Sequence, residues 1–187
     1  LLSALEKNWS KNNNGQNLFS TLYNASYLRV LYLNYNYGQT AKQYNKLIND
    51  RLFPNSNFRL KLYRYLDYSM YRLGYYDRSL QIVRQYTLPL SRYLNKEREK
   101  ISTKQLQGVY LYSIGKIKAA EEVYQEVLKE INNNEINVSK SSLYNNLALV
   151  YNKLGKYNDY LDLQFKALNI AKTQNNYSHH QKILRNL

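Results

Sequence analysis

The chain has 187 residues, 27 Lys and Arg against 13 Asp and Glu, and a formal charge of +14. It has no cysteine, which excludes a disulfide framework, thiolate chemistry and Cys-rich zinc sites. With 44% hydrophobic residues, no stretch approaches the roughly 20 apolar residues of a membrane-spanning helix. Only 6 Gly and 2 Pro leave few breakers, so the composition predicts long helices rather than a many-turned sandwich or barrel.

In chain order, periodicity predicts helices near 1–10, 17–36, 40–52, 58–73, 76–94, 99–114, 117–132, 138–154, 157–174 and 179–186. Asn runs at 12–14 and 132–134 mark loops, because Asn side chains compete for backbone hydrogen bonds. Pro54 falls in an expected inter-repeat turn. Pro89 falls inside a helical pattern that it must kink or end. The first residue, Leu1, is not Met, and the chain is read as an excised piece of a longer one.

Four glycines, Gly38, Gly74, Gly115 and Gly155, recur at spacings near 40 and imply a repeated unit. Upstream of Gly155, Leu143, Tyr144, Leu147, Ala148, Tyr151 and Leu154 form one broad helical face. Downstream, Tyr157, Leu161, Phe165 and Leu168 are expected to form the packed face of a second helix. Each unit is therefore two amphipathic helices joined at a glycine, which supplies the left-handed turn.

The segment 141–174 resembles a tetratricopeptide repeat, through Tyr144, Leu147, Ala148, Tyr151, Gly155, Tyr157, Ala167 and Leu168. It departs at Tyr160, where the family has a small residue, so the helices there are expected to stand apart or the ring to tilt outward. The segment 101–134 is a second match, with Gly108 at the small first-helix position; 60–93 is weaker and 24–57 weaker still. The resemblance implies an all-α fold: one α-solenoid domain over 1–187, a right-handed superhelix of antiparallel helix pairs. Its four repeats of about 40 residues fall near 17–57, 58–98, 99–137 and 138–176, with a further one starting at 177–187. The excess over the usual 34 residues lengthens the helices.

Catalytic constellations are missing. The glycines are too dispersed for a phosphate-cradling loop. His179 and His180, the only histidines, are adjacent on a helix and cannot clamp one metal; they are expected to be solvated. Glu97, Glu99, Glu121, Glu122, Glu126 and Glu130 sit near Lys or Arg and read as exposed ion-pair decoration. The expectation is a non-enzymatic chain with no metal and no cofactor.

What the resemblance implies instead is a concave groove lined by first helices, at the second, fifth, ninth, twelfth and thirteenth positions of each unit. The candidate binding residues are Tyr32, Tyr35, Lys61, Arg64, Tyr68, Tyr71, Arg72, Gln105, Tyr112, Asn145, Asn152 and Lys153, with Leu28 at the fifth position of the weakest unit. Tyr gives contact area at low entropic cost and Arg forks onto carboxylates, so the trough suits a protein or peptide with acidic and polar groups. Each Tyr could equally pack between repeats. The carboxylate clamp of chaperone-binding family members is not reproduced, since Arg64 and Gln105 stand at the fifth positions and Tyr65 and Leu106 at the sixth. Basic residues are spread along the chain without a long run, which argues against nucleic acid.

The style of the chain is similar to extracytoplasmic repeat regions of Bacteroidetes-type signalling proteins, which implies a sensory or scaffolding role in bacterial signal transduction or transcription regulation and a periplasmic location. The alternatives are a cytoplasmic regulator resembling the peptide-pheromone-responsive proteins of Gram-positive bacteria, and a pure assembly scaffold.

Overall fold

The structure, a computed structural model, describes residues 26–48, 57–133, 136 and 138–186, with side chains omitted over 44–48. The expected helix at 1–10, the start of that at 17–36 and the turn at Pro54 lie outside these residues. Every regular element among them is helical. The chain divides into two compact units, 1–82 and 83–187.

Unit 1 holds helix α1 (26–33), α2 (Tyr37–Ile48), α3 (Asn57–Arg72) and α4 (Tyr76–Ile82). Leu28 and Leu31 of α1, Ala41 of α2, Leu60, Leu62, Tyr63 and Leu66 of α3, and Leu80 and Ile82 of α4 are buried. A buried Ser79 hydroxyl on α4 donates to the Asp67 carbonyl on α3 at 2.9 Å, tying this helix pair at its crossing.

Unit 2 opens with a π turn over Val83–Thr87, followed by α5 (Leu88–Tyr93). Pro89 stands in the first turn of α5. Proline has no N–H to give the carbonyl four residues back and its ring crowds that turn, and the wider π geometry accommodates both. Two hairpins follow: α6 (Glu97–Ser113) with α7 (Ile117–Asn133), and α8 (Ser141–Lys153) with α9 (Tyr157–Thr173); α10 (Tyr177–Leu184) packs next to α9. The buried core runs through Ile101, Tyr110, Leu111, Tyr124, Val127 and Ile131 to Leu143, Leu147, Val150, Ala167, Ala171 and Ile183.

One turn geometry recurs throughout. Gly74, Gly115 and Gly155 take φ of +82°, +81° and +74°, and Asn95 and Asn175 take 51° and 52°. At each, the left-handed residue donates three residues back and its successor five back, as Tyr75 does to Met70 and Lys116 to Leu111, the Schellman closure of a helix. At the first hairpin the sequence reading needs correction. Gly38 lies inside α2, and the left-handed residue is Tyr35, with φ 59°. The turn residues 35, 74, 115 and 155 are then spaced 39, 41 and 40 apart, a more regular period than the glycines gave.

Gly108 has a separate role. A Cβ built on it would lie 2.5 Å from the Tyr124 ring, so α6 and α7 can approach only because that side chain is missing.

Packing on α9 overturns one expectation and narrows another. On α9 the buried face is Tyr160, Leu163, Gln164, Ala167 and Ala171, while Tyr157, Leu161 and Phe165 are exposed. Tyr160 does not tilt outward; its ring is buried and its hydroxyl donates to the Asn186 carbonyl.

Candidate functional site

The candidate groove residues of unit 1 come from the end of α1, its turn, and α3. Tyr32 stacks on Tyr65 with ring centroids 4.5 Å apart and meets Tyr37 and Tyr68 edge-on at 6.3 and 5.8 Å. Tyr37 extends the set to Tyr35 and Tyr68, and Tyr68 to Tyr71, which in turn meets Tyr76. Edge and offset contacts of this kind add about 0.5–1.5 kcal/mol each beyond burial, so the rings hold one another in place.

Arg72, in the last turn of α3, lies over this set, its guanidinium carbon 5.0 Å from the Tyr37 centroid and 5.8 Å from that of Tyr68. Its Nη1 donates to the Tyr68 hydroxyl at 3.1 Å and the Tyr37 hydroxyl at 3.3 Å. The side chain is exposed. Its Nε and Nη2 donors have no partner among the described residues, so a fixed cationic fork faces solvent above an aromatic floor. Burial, reinforced by the neighbouring Tyr68 and Tyr37 hydroxyls, pushes the Tyr32 phenol above its usual range.

The structure thus brings together Tyr32, Tyr35, Tyr68, Tyr71 and Arg72 of the sequence-derived set, and adds Tyr37, Tyr65 and Tyr76. These three occupy turn-flanking and sixth positions that the groove pattern does not score. Their signal was the density of Tyr around residues 32–37 and 63–76. Lys61 is exposed on α3 and Arg64 half-buried.

Unit 2 places the remaining candidates differently. Gln105 and Tyr112 on α6 are half-buried, and burial raises the Tyr112 phenol. Asn152 and Lys153 are exposed at the end of α8. Asn145 is fully buried, its Oδ1 accepting from the Asn186 amide at 2.9 Å. Leu28, also at a fifth position, is buried as well. In these two repeats the fifth position is interior, so neither residue faces a ligand.

The carboxylates of α7 are not all surface decoration. Lys104 of α6 is 4% exposed and reaches Glu126 at 2.5 Å and Glu130 at 2.8 Å. Burial works against its charge, but the two hydrogen bonds prevail and lift its pKa above the ordinary lysine value. The pair fastens α6 to α7.

His179 is only partly solvated. It is half-buried, with Nδ1 2.9 Å from the Ser141 hydroxyl. That hydroxyl spends its proton on the Ala167 carbonyl at 2.8 Å, so His179 is the donor through Nδ1–H. Burial, with a smaller push from Lys182, lowers its pKa.

Among the described residues no group of three or more His, Cys, Asp or Glu could hold a metal ion, and no helix is long and apolar enough to cross a membrane.

No family model matches the sequence, and no curated protein does. Solved structures do. The apo form of RapI superposes with a TM-score of 0.75 at 14% identity, covering 89% of this chain and 46% of that one. A signal-transduction ATPase with a tetratricopeptide repeat sensor, from Pyrococcus horikoshii, gives 0.78 at 16% identity over 97% of this chain and 28% of its own. The Rap conjugation gene regulator of plasmid pLS20, in complex with the Phr* peptide, gives 0.71 at 16% over 93% and 50%. The fold is a tetratricopeptide-like α-solenoid. This tetratricopeptide-like chain spans half or less of the length of those three structures.

Proposed function

We propose that the chain is a protein- or peptide-binding module whose recognition surface is the tyrosine floor of unit 1 with Arg72 above it, and that its partner offers an acidic group to that guanidinium. One observation carries the reading: an exposed arginine is preorganised by two tyrosine hydroxyls, with donors left over, beside stacked aromatic area. Such a fork has little rotamer freedom left to lose on binding. A carboxylate meeting it would gain paired, charge-assisted hydrogen bonds, while the rings offer contact to the adjoining apolar or amide groups.

The role is that of a sensory or scaffolding region in a bacterial signalling or transcription-regulatory protein. Support comes from the shared fold: the Rap regulator of pLS20 is seen with a peptide bound, and the P. horikoshii ATPase carries its repeats as a sensor.

The test selects ligands from a random peptide-display library on the whole chain and measures the winners by calorimetry. The expected result is enrichment of Asp and Glu and at least a tenfold weaker Kd with Arg72→Gln. Enriched peptides without acidic residues, or an affinity indifferent to Arg72→Gln and Arg64→Glu in a chain whose unfolding midpoint is unchanged, would refute the site.

A further inference from the structure

The hydrogen-bonding capacity left over around Arg72 consists of proton donors. Its Nη1 is turned to the Tyr68 and Tyr37 hydroxyls at 3.1 and 3.3 Å. Both phenol oxygens act there as acceptors, so each keeps its own O–H to give. Neither proton meets an acceptor among the described residues, and neither do Nε and Nη2. Two phenolic protons and the open edge of a guanidinium are thus held beside one another at the exposed end of α3. Nη2 sits between the two sets, with Nε on one side and Nη1 with its phenols on the other.

Shape and charge narrow the acid that fits. A carboxylate has two oxygens in one plane; seated on Nε and Nη2 it leaves the phenolic protons unused. A phosphomonoester is tetrahedral and presents three acceptor oxygens with about two negative charges, so it can meet Nε and Nη2 and still turn an oxygen to a phenol. The surroundings favour the higher charge. Between residues 26 and 82 the sequence has nine Lys and Arg against three Asp and no Glu, and one of those acids, Asp67, is fully buried. The rings argue against a nucleic-acid strand as the carrier. Successive bases need open aromatic faces, but Tyr32 is stacked on Tyr65, the guanidinium lies over Tyr37 and Tyr68, and the other contacts of Tyr32 and Tyr37 are edge-on at 69–74°. What the cluster leaves open is its hydroxyl rim.

We infer that Arg72, Tyr37 and Tyr68 form a site for a phosphomonoester carried on a peptide, Arg72 gripping two of its oxygens and a phenolic O–H donating to the third. This rests on the proposed function and names the acid that the module reads. Tyr37 and Tyr68 then have two tasks: their oxygens hold Nη1 and fix the fork, and their protons distinguish a tetrahedral acid from a planar one. Phosphorylation of the partner would strengthen the complex and its removal would loosen it, through charge-assisted hydrogen bonds that a Glu in the same place forms only in part.

Three labelled degenerate peptide pools, identical except for a central phosphoserine, Glu or Ser, test this on the whole chain by fluorescence anisotropy. The phosphoserine pool should bind at least tenfold tighter than the Glu pool, and the Glu pool tighter than the Ser pool. Arg72→Gln should weaken both acidic pools at least tenfold. Tyr37→Phe with Tyr68→Phe keeps the rings and removes the two protons, so the ratio between the phosphoserine and Glu pools should fall to about two or less. Hydroxyls that merely steady Arg72 would weaken both pools alike, and an unchanged ratio overturns the inference. Circular dichroism and the unfolding midpoint check the fold; Tyr37→Phe alone, which should cut the ratio at least threefold, decides the matter should the double variant unfold. Equal binding of the phosphoserine and Glu pools, both lost with Arg72→Gln, overturns this inference and leaves the proposed function standing. No binding of any pool, or binding indifferent to Arg72→Gln, removes both. Tighter Arg72-dependent binding of a single-stranded oligonucleotide, or of phosphatidic acid vesicles, than of the phosphoserine pool assigns the phosphate to another carrier and equally overturns it.

Discussion

The two units solve the same problem, bringing paired helices close, with different chemistry. Where α3 crosses α4, unit 1 has Asp67 and Ser79, and a buried hydroxyl-to-carbonyl hydrogen bond fixes the distance. At the corresponding positions of α6 and α7, unit 2 has Gly108 and Ala120, with the Tyr124 ring filling the space that a side chain at 108 would take. A hydrogen bond sets a length and tolerates small shifts; a ring against bare backbone sets a volume and tolerates none. The same contrast extends to the first-helix surface, where unit 1 displays tyrosines around an arginine and unit 2 turns an asparagine inward.

The largest expected effect breaks the steric version of the crossing. Gly108→Leu forces a side chain into the Tyr124 ring and should destabilise the chain by about 3 kcal/mol, read as a lower denaturant midpoint with unchanged slope. A midpoint within experimental scatter of the parent would show that the helices can separate. Next comes the second hairpin of unit 2. Gln164 is buried with neither amide atom hydrogen-bonded among the described residues. Gln164→Leu should therefore stabilise by about 2 kcal/mol, the desolvation cost of an unpaired amide; a loss in equilibrium unfolding would mean that the amide has a partner.

The turns sharpen the comparison further. Gly115→Ala meets no atom within 4 Å, so its cost is purely that of the left-handed backbone, about 1 kcal/mol. Tyr35→Gly in unit 1 should do the opposite: it relieves about 1 kcal/mol of backbone cost and gives back about 0.5 kcal/mol with the lost Tyr37 contact. Thermal midpoints moving in the same direction for both changes would contradict this account.

The smallest effect is the pH dependence that His179 brings to unit 2. The folded chain prefers neutral His179, so its pKa lies below the value of about 6.5 in the unfolded chain. The stability that this contributes is whole above pH 6.5 and falls as the pH drops through 6.5 towards the folded value. Comparison of denaturant midpoints at pH 8 and pH 5 should show a larger drop in the parent than in His179→Gln, and identical drops would remove His179 from the explanation.

How legible was this in the sequence? The hairpins were, because each combines a helical apolar period with a glycine whose backbone freedom the turn requires, and three of four such glycines are left-handed. The first hairpin was misphased because Tyr35 bears the left-handed strain while a glycine three residues on is merely helical. The stacked face of α9 was misread for a related reason. Its buried positions are two alanines, a glutamine and a tyrosine beside one leucine, which carry less hydropathy than the exposed Tyr157, Leu161 and Phe165. Periodicity finds the apolar stripe, and only packing tells which stripe is covered. The groove fared in between. Position rules brought out Tyr32, Tyr35, Tyr68, Tyr71 and Arg72, but not the burial of Asn145 and Leu28, which depends on what the neighbouring elements place over them. No sequence pattern indicated that Tyr37 and Tyr68 would both hold the Arg72 guanidinium.

The stacked phenols of unit 1 also supply a spectroscopic reporter that needs no label. Transitions of rings as close as Tyr32 and Tyr65, 4.5 Å between centroids, couple to one another, so the near-ultraviolet circular dichroism of the chain carries a contribution that depends on their mutual tilt. A guest that levers Arg72 off Tyr37 and Tyr68 would alter that contribution at once, giving an optical titration curve for ligands not yet identified.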